Sequence, residues 1–235
     1  MSRVKKGLSL AAVVFVVSTG VAFAATLNGT NGDDVIIGTT GADTISAKAG
    51  DDRAWGLAGA DTVNGNDDND LLYGDGTCSQ GQGTVTQGSS GGYDQRSAAW
   101  RDGHDPGDNH ADDYCDAGES SNDGADTVKG GQGYDAIFGQ GGADKLYGAD
   151  SDNGSDSGAN LISGGSGADQ IFGTKNNDAI DGGSGKDTID AGSDDDVIYT
   201  RDGEKDTIDC GSGEDHLFAD RSEQSIKNCE HVYTN

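Results

Sequence analysis

The sequence predicts an all-β chain wound into a parallel solenoid, and three observations predict it. The chain steps in nines over most of its length. An aliphatic residue recurs at position eight of nearly every step, and an aspartate at position six. Glycine recurs at position four. A fixed period of nine that carries one apolar position marks a stacked repeat rather than a globular core.

The units are Gly29–Ile37, Gly38–Ser46, Ala47–Trp55, Gly56–Asn64 and Gly65–Tyr73 in a first array. The period resumes with Ser121–Lys129, Gly130–Phe138 and Gly139–Tyr147. A six-residue excess follows Gly148. Ser155–Ser163, Gly164–Phe172, Gly173–Asp181, Gly182–Asp190 and Ala191–Tyr199 come next. One extra residue, Thr200, precedes Arg201–Asp209, and Cys210–Phe218 closes the series. Position six is Asp in fourteen of the fifteen units and Asn160 in the other. Position four is Gly in eleven, with Asp68, Asn176, Asp194 and Glu204 as the exceptions. Position eight is Ile, Leu or Val in fourteen, with Ala54 the exception.

Each nonapeptide divides into a turn and a strand. The last three residues suit a very short strand, whose side chains alternate faces, so position eight points in while seven and nine point out. The first six must reverse the chain, and glycine accepts the positive φ that tight turns require. Two nonapeptides, about 18 residues, then close one flattened coil, and coils stack at about 4.8 Å. Asp34, Asp52 and Asp70 fall on one edge of the stack, and Asp43 and Asp61 on the other. Carboxylates about 5 Å apart repel by roughly 0.8 kcal/mol each in water, and by more where water is excluded. Long columns of this kind need neutralising.

These units resemble the G-G-x-G-x-D-x-U-x nonapeptide of RTX, or hemolysin-type, calcium-binding repeats. The resemblance covers residues 29–73 and 121–218. It implies a parallel β-roll, a right-handed β-solenoid, that takes several Ca²⁺ ions between stacked turns of one edge, one position-six side chain from each turn. The ligands so implied are Asp34, Asp43, Asp52, Asp61, Asp70, Asp126, Asp135, Asp144, Asn160, Asp169, Asp178, Asp187, Asp196, Asp206 and Asp215. Calcium suits such a site, because it takes six to eight oxygen ligands from carboxylates and carbonyls. Zinc would want histidine or thiolate, which the repeats lack. A metal-free solenoid would use Asp and Asn for turn chemistry alone, which does not call for Asp at every ninth residue. One aliphatic side chain per nine residues is little apolar surface to set against the ordering of all nine. The chain is therefore expected to fold only with metal bound.

Composition and charge agree with a cation partner. The formal net charge is −27. That excludes nucleic acid, whose binding rests on Lys and Arg, and anionic membranes. Glycine makes up 41 of 235 residues, far above the average of roughly 7%. The N-terminus reads as a secretory signal peptide over residues 1–24: Arg3, Lys5 and Lys6, an apolar run from Leu8 to Val17, and Ala22-Phe23-Ala24 as the cleavage site. The run is shorter than the roughly 20 residues that span a bilayer. Cleavage takes the formal charge from −27 to −30. A secreted, extracellular protein is expected, with four cysteines in an oxidising compartment. Pairing by neighbours joins Cys78 to Cys115 and Cys210 to Cys229.

The remaining segments are read around the arrays. Residues 25–74 form the N-terminal array, 75–120 a disulfide-bounded insertion, 121–218 the C-terminal array and 219–235 a cap. The insertion holds Tyr93, Trp100 and Tyr114, and an acidic stretch around His104 and His110 that reads as a solvated loop. It is the expected place for a cell-surface polymer or protein partner, since loops on a rigid scaffold carry function. Asp150–Asp156 has acids at alternate positions, but the twelfth residue from Asp150 is Leu161, where an EF-hand needs Glu. No HExxH, GxSxG or comparable signature occurs. The chain is therefore expected not to be an enzyme; the alternative reading is an adhesin or surface-polymer-binding module and, after it, a non-catalytic remnant of an RTX exoenzyme or toxin.

Overall fold

The structure, a computed structural model, describes residues 13–15, 24–75, 124–150, 158–221, 223 and 225–234. It is built from two parallel sheets joined by turns. The first sheet has ten strands. They are β1 (Val13–Phe15), β3 (Val35–Ile37), β5 (Arg53–Leu57), β7 (Leu71–Asp75), β9 (Ala136–Gly142), β11 (Leu161–Gly167), β13 (Ala179–Asp181), β15 (Val197–Thr200), β17 (His216–Ala219) and β19 (His231–Thr234). The second has nine. They are β2 (Thr26–Asn28), β4 (Thr44–Ala49), β6 (Thr62–Asp67), β8 (Thr127–Gln132), β10 (Lys145–Tyr147), β12 (Gln170–Thr174), β14 (Thr188–Gly192), β16 (Thr207–Asp209) and β18 (Ser225–Lys227). Successive strands alternate between sheets, so each strand pairs with the strand two before it. This is a parallel β-roll, as the repeat predicts. No helix occurs among the described residues.

The core is one file of aliphatic side chains between the sheets. Position eight supplies it: Ile36, Ile45, Val63, Leu72, Val128, Ile137, Leu146, Ile162, Ile171, Ile180, Ile189, Ile198, Ile208 and Leu217 are all buried. Ala54, the exception in the sequence, is buried in the same file. Outward positions on the first sheet carry stacked rings. Trp55, Tyr73 and Phe138 form one stack, with centroids 5.6 and 5.1 Å apart. Tyr199, Phe218 and Tyr233 form another, at 4.8 and 4.9 Å. In-register parallel pairing of position nine places these rings one above the next.

The roll runs on without a break from the first array to the second. β6 pairs with β8 and β7 with β9, across the 65-residue step from Asp61 to Asp126. The interruption falls inside a single turn. Gly74 and Asp75 fill its first two positions: Asp75 is in register with Leu57, and a Cβ on Gly74 would stand 2.3 Å from Asp126 Oδ2. Gly124 rejoins as position four, its N–H donating to Asp75 Oδ2 at 3.0 Å. Asp75, read from sequence as the first residue of the insertion, thus lies in the last register position of β7. The second excursion does the same thing. Gly148 keeps its place, donating to the Phe172 carbonyl at 2.8 Å, and Gly158 stacks on Gly133. Both excursions leave the strands undisturbed because they enter where the chain is already turning.

The C-terminal segment continues the roll. β18 and β19 pair with β16 and β17, and the expected Cys210–Cys229 disulfide is present, with Cα atoms 5.2 Å apart. Ile226 and Val232 stand in the position-eight register but are exposed, because this coil is the last described. The expected Cys78–Cys115 bond and the aromatic and histidine residues of the insertion lie outside the described residues.

Candidate metal centre

The fifteen position-six side chains sit at the junction of turn and strand, and all are at most 2% exposed. They form two columns, one per edge. From Asp52 and Asp61 onward one side-chain oxygen, Oδ1, is used in the same way. It accepts the backbone N–H of the position-six residue one coil earlier. Asp34 donates to Asp52 at 2.7 Å, Asp52 to Asp70 at 2.9 Å and Asp70 to Asp135 at 2.9 Å. The column continues through Asn160, Asp178, Asp196 and Asp215. On the other edge Asp43 donates to Asp61 and Asp61 to Asp126, both at 2.7 Å. That column runs on through Asp144, Asp169, Asp187 and Asp206. Asn160 fits because its amide oxygen replaces the carboxylate as acceptor, while its Nδ2 donates to the Gly148 carbonyl at 3.3 Å.

The second oxygen decides the chemistry. Oδ2 of Asp52, Asp61, Asp70, Asp169, Asp187, Asp196, Asp206 and Asp215 is buried and has no hydrogen-bond partner. A buried acceptor left unmade costs about 1–3 kcal/mol, and more when charged. Burial is the largest cause that pushes these carboxyls above the ordinary 3.8. Asp61 and Asp169 rise to about 6, Asp52 and Asp206 to about 7 and Asp187 to about 8. Asp70 rises to about 9, with repulsion from Asp135 added to burial, and Asp196 to about 10. These acids need a proton or a cation.

Glycine at position one opens room beside that oxygen. A Cβ on Gly56 would stand 2.3 Å from Asp61 Oδ2 and 2.2 Å from the Gly74 carbonyl oxygen of the next coil. On Gly164 it would stand 2.5 Å from Asp169 Oδ2 and 2.3 Å from the Gly182 carbonyl. In these two turns carboxylate and carbonyl oxygens therefore converge on a cradle that a side chain on the glycine would fill. The donor set is oxygen alone, which fits a hard cation such as Ca²⁺ and does not suit zinc.

Three acceptors were not legible as site residues. Asp75 brings a third carboxylate to Asp61 and Asp126; one oxygen from each lies within 4.8 Å of the others, and all three residues are buried. Its signal, a Gly-Asp pair one period after Gly65, is hidden by the insertion that follows it. Glu223 and Glu230 end the two columns. They accept the N–H groups of Asp206 at 2.9 Å and Asp215 at 3.2 Å. Both stand off the nine-residue period, so the repeat could not point to them.

Fold and site together define a solenoid whose edges are lined with stacked acidic oxygen sites. The family model for the RTX calcium-binding nonapeptide repeat matches residues 19–54, 28–63, 46–76, 120–154, 155–189, 172–204 and 181–217. These matches cover more than half of the chain, and the protein belongs to that family. No curated protein matches the sequence.

Proposed function

We propose that this is a secreted, non-catalytic protein that folds when several Ca²⁺ ions bind between its stacked turns. The observation that carries this reading is the set of buried Oδ2 atoms without partners, four of them (Asp61, Asp70, Asp169 and Asp187) beside a position-one glycine. Calcium supplies charge and accepts oxygen-only coordination. The chain's own contribution is to hold carboxylates and turn carbonyls at one repeated spacing. Without the ion, the columns must protonate or separate. Extracellular calcium is high enough to fill weak sites of the millimolar class.

The secretory reading gains support from the start of the roll. The Ala25 N–H donates to Asp43 Oδ1 at 2.6 Å. Cleavage after Ala24 would remove β1 and turn that donor into a charged α-amino group beside the first carboxylate of its column.

The test is far-UV circular dichroism of residues 25–235 with disulfides intact, titrated with Ca²⁺ after chelation and with Mg²⁺ as control. A cooperative coil-to-β change with Ca²⁺ alone is expected. A β-rich spectrum in chelator that ignores Ca²⁺ would overturn the reading.

A further inference from the structure

Ten of the turns fall into two kinds that the residue at position two distinguishes; the Asp206 turn stands apart, with its left-handed residue, Gly203, at position three. In the turns of Asp34, Asp43 and Asp178 that residue is threonine: Thr30, Thr39 and Thr174. Its backbone N–H donates to the Oδ2 of its own aspartate, at 2.5 Å for Asp43 and Asp178. Its hydroxyl donates to the same carboxylate, at 3.2 Å for Asp34, 3.0 Å for Asp43 and 2.9 Å for Asp178. These carboxylates have their acceptors filled by the chain itself. At the mouth of the Asp34 turn the Lys48 ammonium also donates to the Gly29 carbonyl, at 2.6 Å.

In the other kind, position two is left-handed. φ is 89° at Lys48, 83° at Leu57, 84° at Asn66, 98° at Gly165, 86° at Gly183, 113° at Gly192 and 100° at Gly211. None of these residues donates its N–H to the aspartate that follows. The matching acids are Asp52, Asp61, Asp70, Asp169, Asp187, Asp196 and Asp215, and each keeps an Oδ2 without a partner. Leucine and lysine rarely take positive φ. Strain of this sort is kept where a site needs it. Threonine, branched at Cβ, resists that conformation, and Thr30, Thr39 and Thr174 do not adopt it.

The geometry points to a rule of occupancy: Ca²⁺ enters the turns whose position two is left-handed, and a threonine there closes a turn to metal. The turns of Asp34, Asp43 and Asp178 are then self-satisfied and hold no ion. This rests on the calcium reading above, and it narrows the fifteen position-six residues to those that can serve as ligands.

Native mass spectrometry of residues 25–235 in Ca²⁺ counts the ions and tests the rule from both sides. Leu57→Thr, which closes the Asp61 turn, should lower the count by at least one. Thr39→Gly, which opens the Asp43 turn, should raise it. Leu57 already bears a side chain at that place, so the closing variant decides the matter if the opening one does not fold. A loaded wild type with an unchanged count in Leu57→Thr overturns the rule and leaves the calcium reading standing. A wild type that loads no ion overturns the calcium reading itself.

Discussion

The Asp43 turn and the Asp196 turn carry the same acid at the same position, equally buried, on opposite edges of one roll. They differ in what meets the second carboxyl oxygen. Asp43 has the N–H and hydroxyl of Thr39. Asp196 has left-handed Gly192 at that place, and its Oδ2 has no partner. The first two turns, those of Asp34 and Asp43, meet their second carboxyl oxygen with hydrogen bonds of their own. In the C-terminal coils of Asp187, Asp196, Asp206 and Asp215 each turn waits for a cation or a proton. One repeat thus serves both as scaffold and as site, and the change needs only the handedness of one residue.

Acid should break that contrast most widely. The folded carboxyls of Asp70, Asp187 and Asp196 lie at about 9, 8 and 10, above an unfolded value of about 3.9. The folded chain then binds more protons than the unfolded one at neutral pH. The stability these groups contribute to the metal-free roll is fully present below about pH 3.9 and is lost as pH rises towards the folded values. Circular dichroism in chelator should therefore show more β structure at pH 5 than at pH 8. Calcium, displaced by the same protons, should bind more weakly at pH 5.

Reducing Cys210–Cys229 should sharpen the contrast by about 3 kcal/mol, the chain-entropy value for a loop of this size. The loss falls on the last coils, where four of the open turns lie, and amide hydrogen exchange should show them opening before the coils of Ile36 and Ile45. A smaller effect, with opposite signs, separates the two turns directly. Asp196→Asn removes the need to neutralise a buried carboxyl and should stabilise the roll in chelator while lowering calcium affinity. Asp43→Asn turns an amide NH₂ towards the N–H of either Thr39 or Ala25 and should cost about 1–3 kcal/mol with or without calcium. Chemical denaturation in both buffers reads both signs.

The smallest effect is expected where the sequence departs most from the repeat. Replacing residues 76–123 by one glycine would join Gly74 and Asp75 to Gly124, Ala125 and Asp126 as an ordinary nonapeptide. The calcium-dependent transition should survive, with stability changed by about 1 kcal/mol or less, because lengthening a turn costs only loop-closure entropy.

Much of this was legible in the sequence because the strands carry the period. Ile36 and Asp34 announce the core and the edge columns by their spacing alone, and the eighteen-residue coil assigns each acid to its edge. What was not legible depends on contacts between coils or on backbone handedness. By period alone Ser121 starts a unit whose turn in the structure starts at Gly74, since the partners of that turn lie 49 residues apart. Fourteen aspartates and Asn160 at one position read as fifteen alike ligands. The difference between Thr39 and Leu57 at position two shows only when φ and the N–H direction are known. Glu223 and Glu230 sit off the period and owe their place to the register of the last coil.

The two columns of acids also make each edge a line of charge. Coils rise by about 4.8 Å, whereas two unit charges in water reach the thermal energy at a separation of about 7 Å. A line charged more densely than that holds a sheath of counterions whatever its particular sites, as the phosphate backbone of DNA does. Sodium or potassium is then released each time a calcium ion enters, and the ionic strength of the surroundings becomes a term in the folding equilibrium. The same chain would fold at a lower calcium concentration in fresh water than in brine.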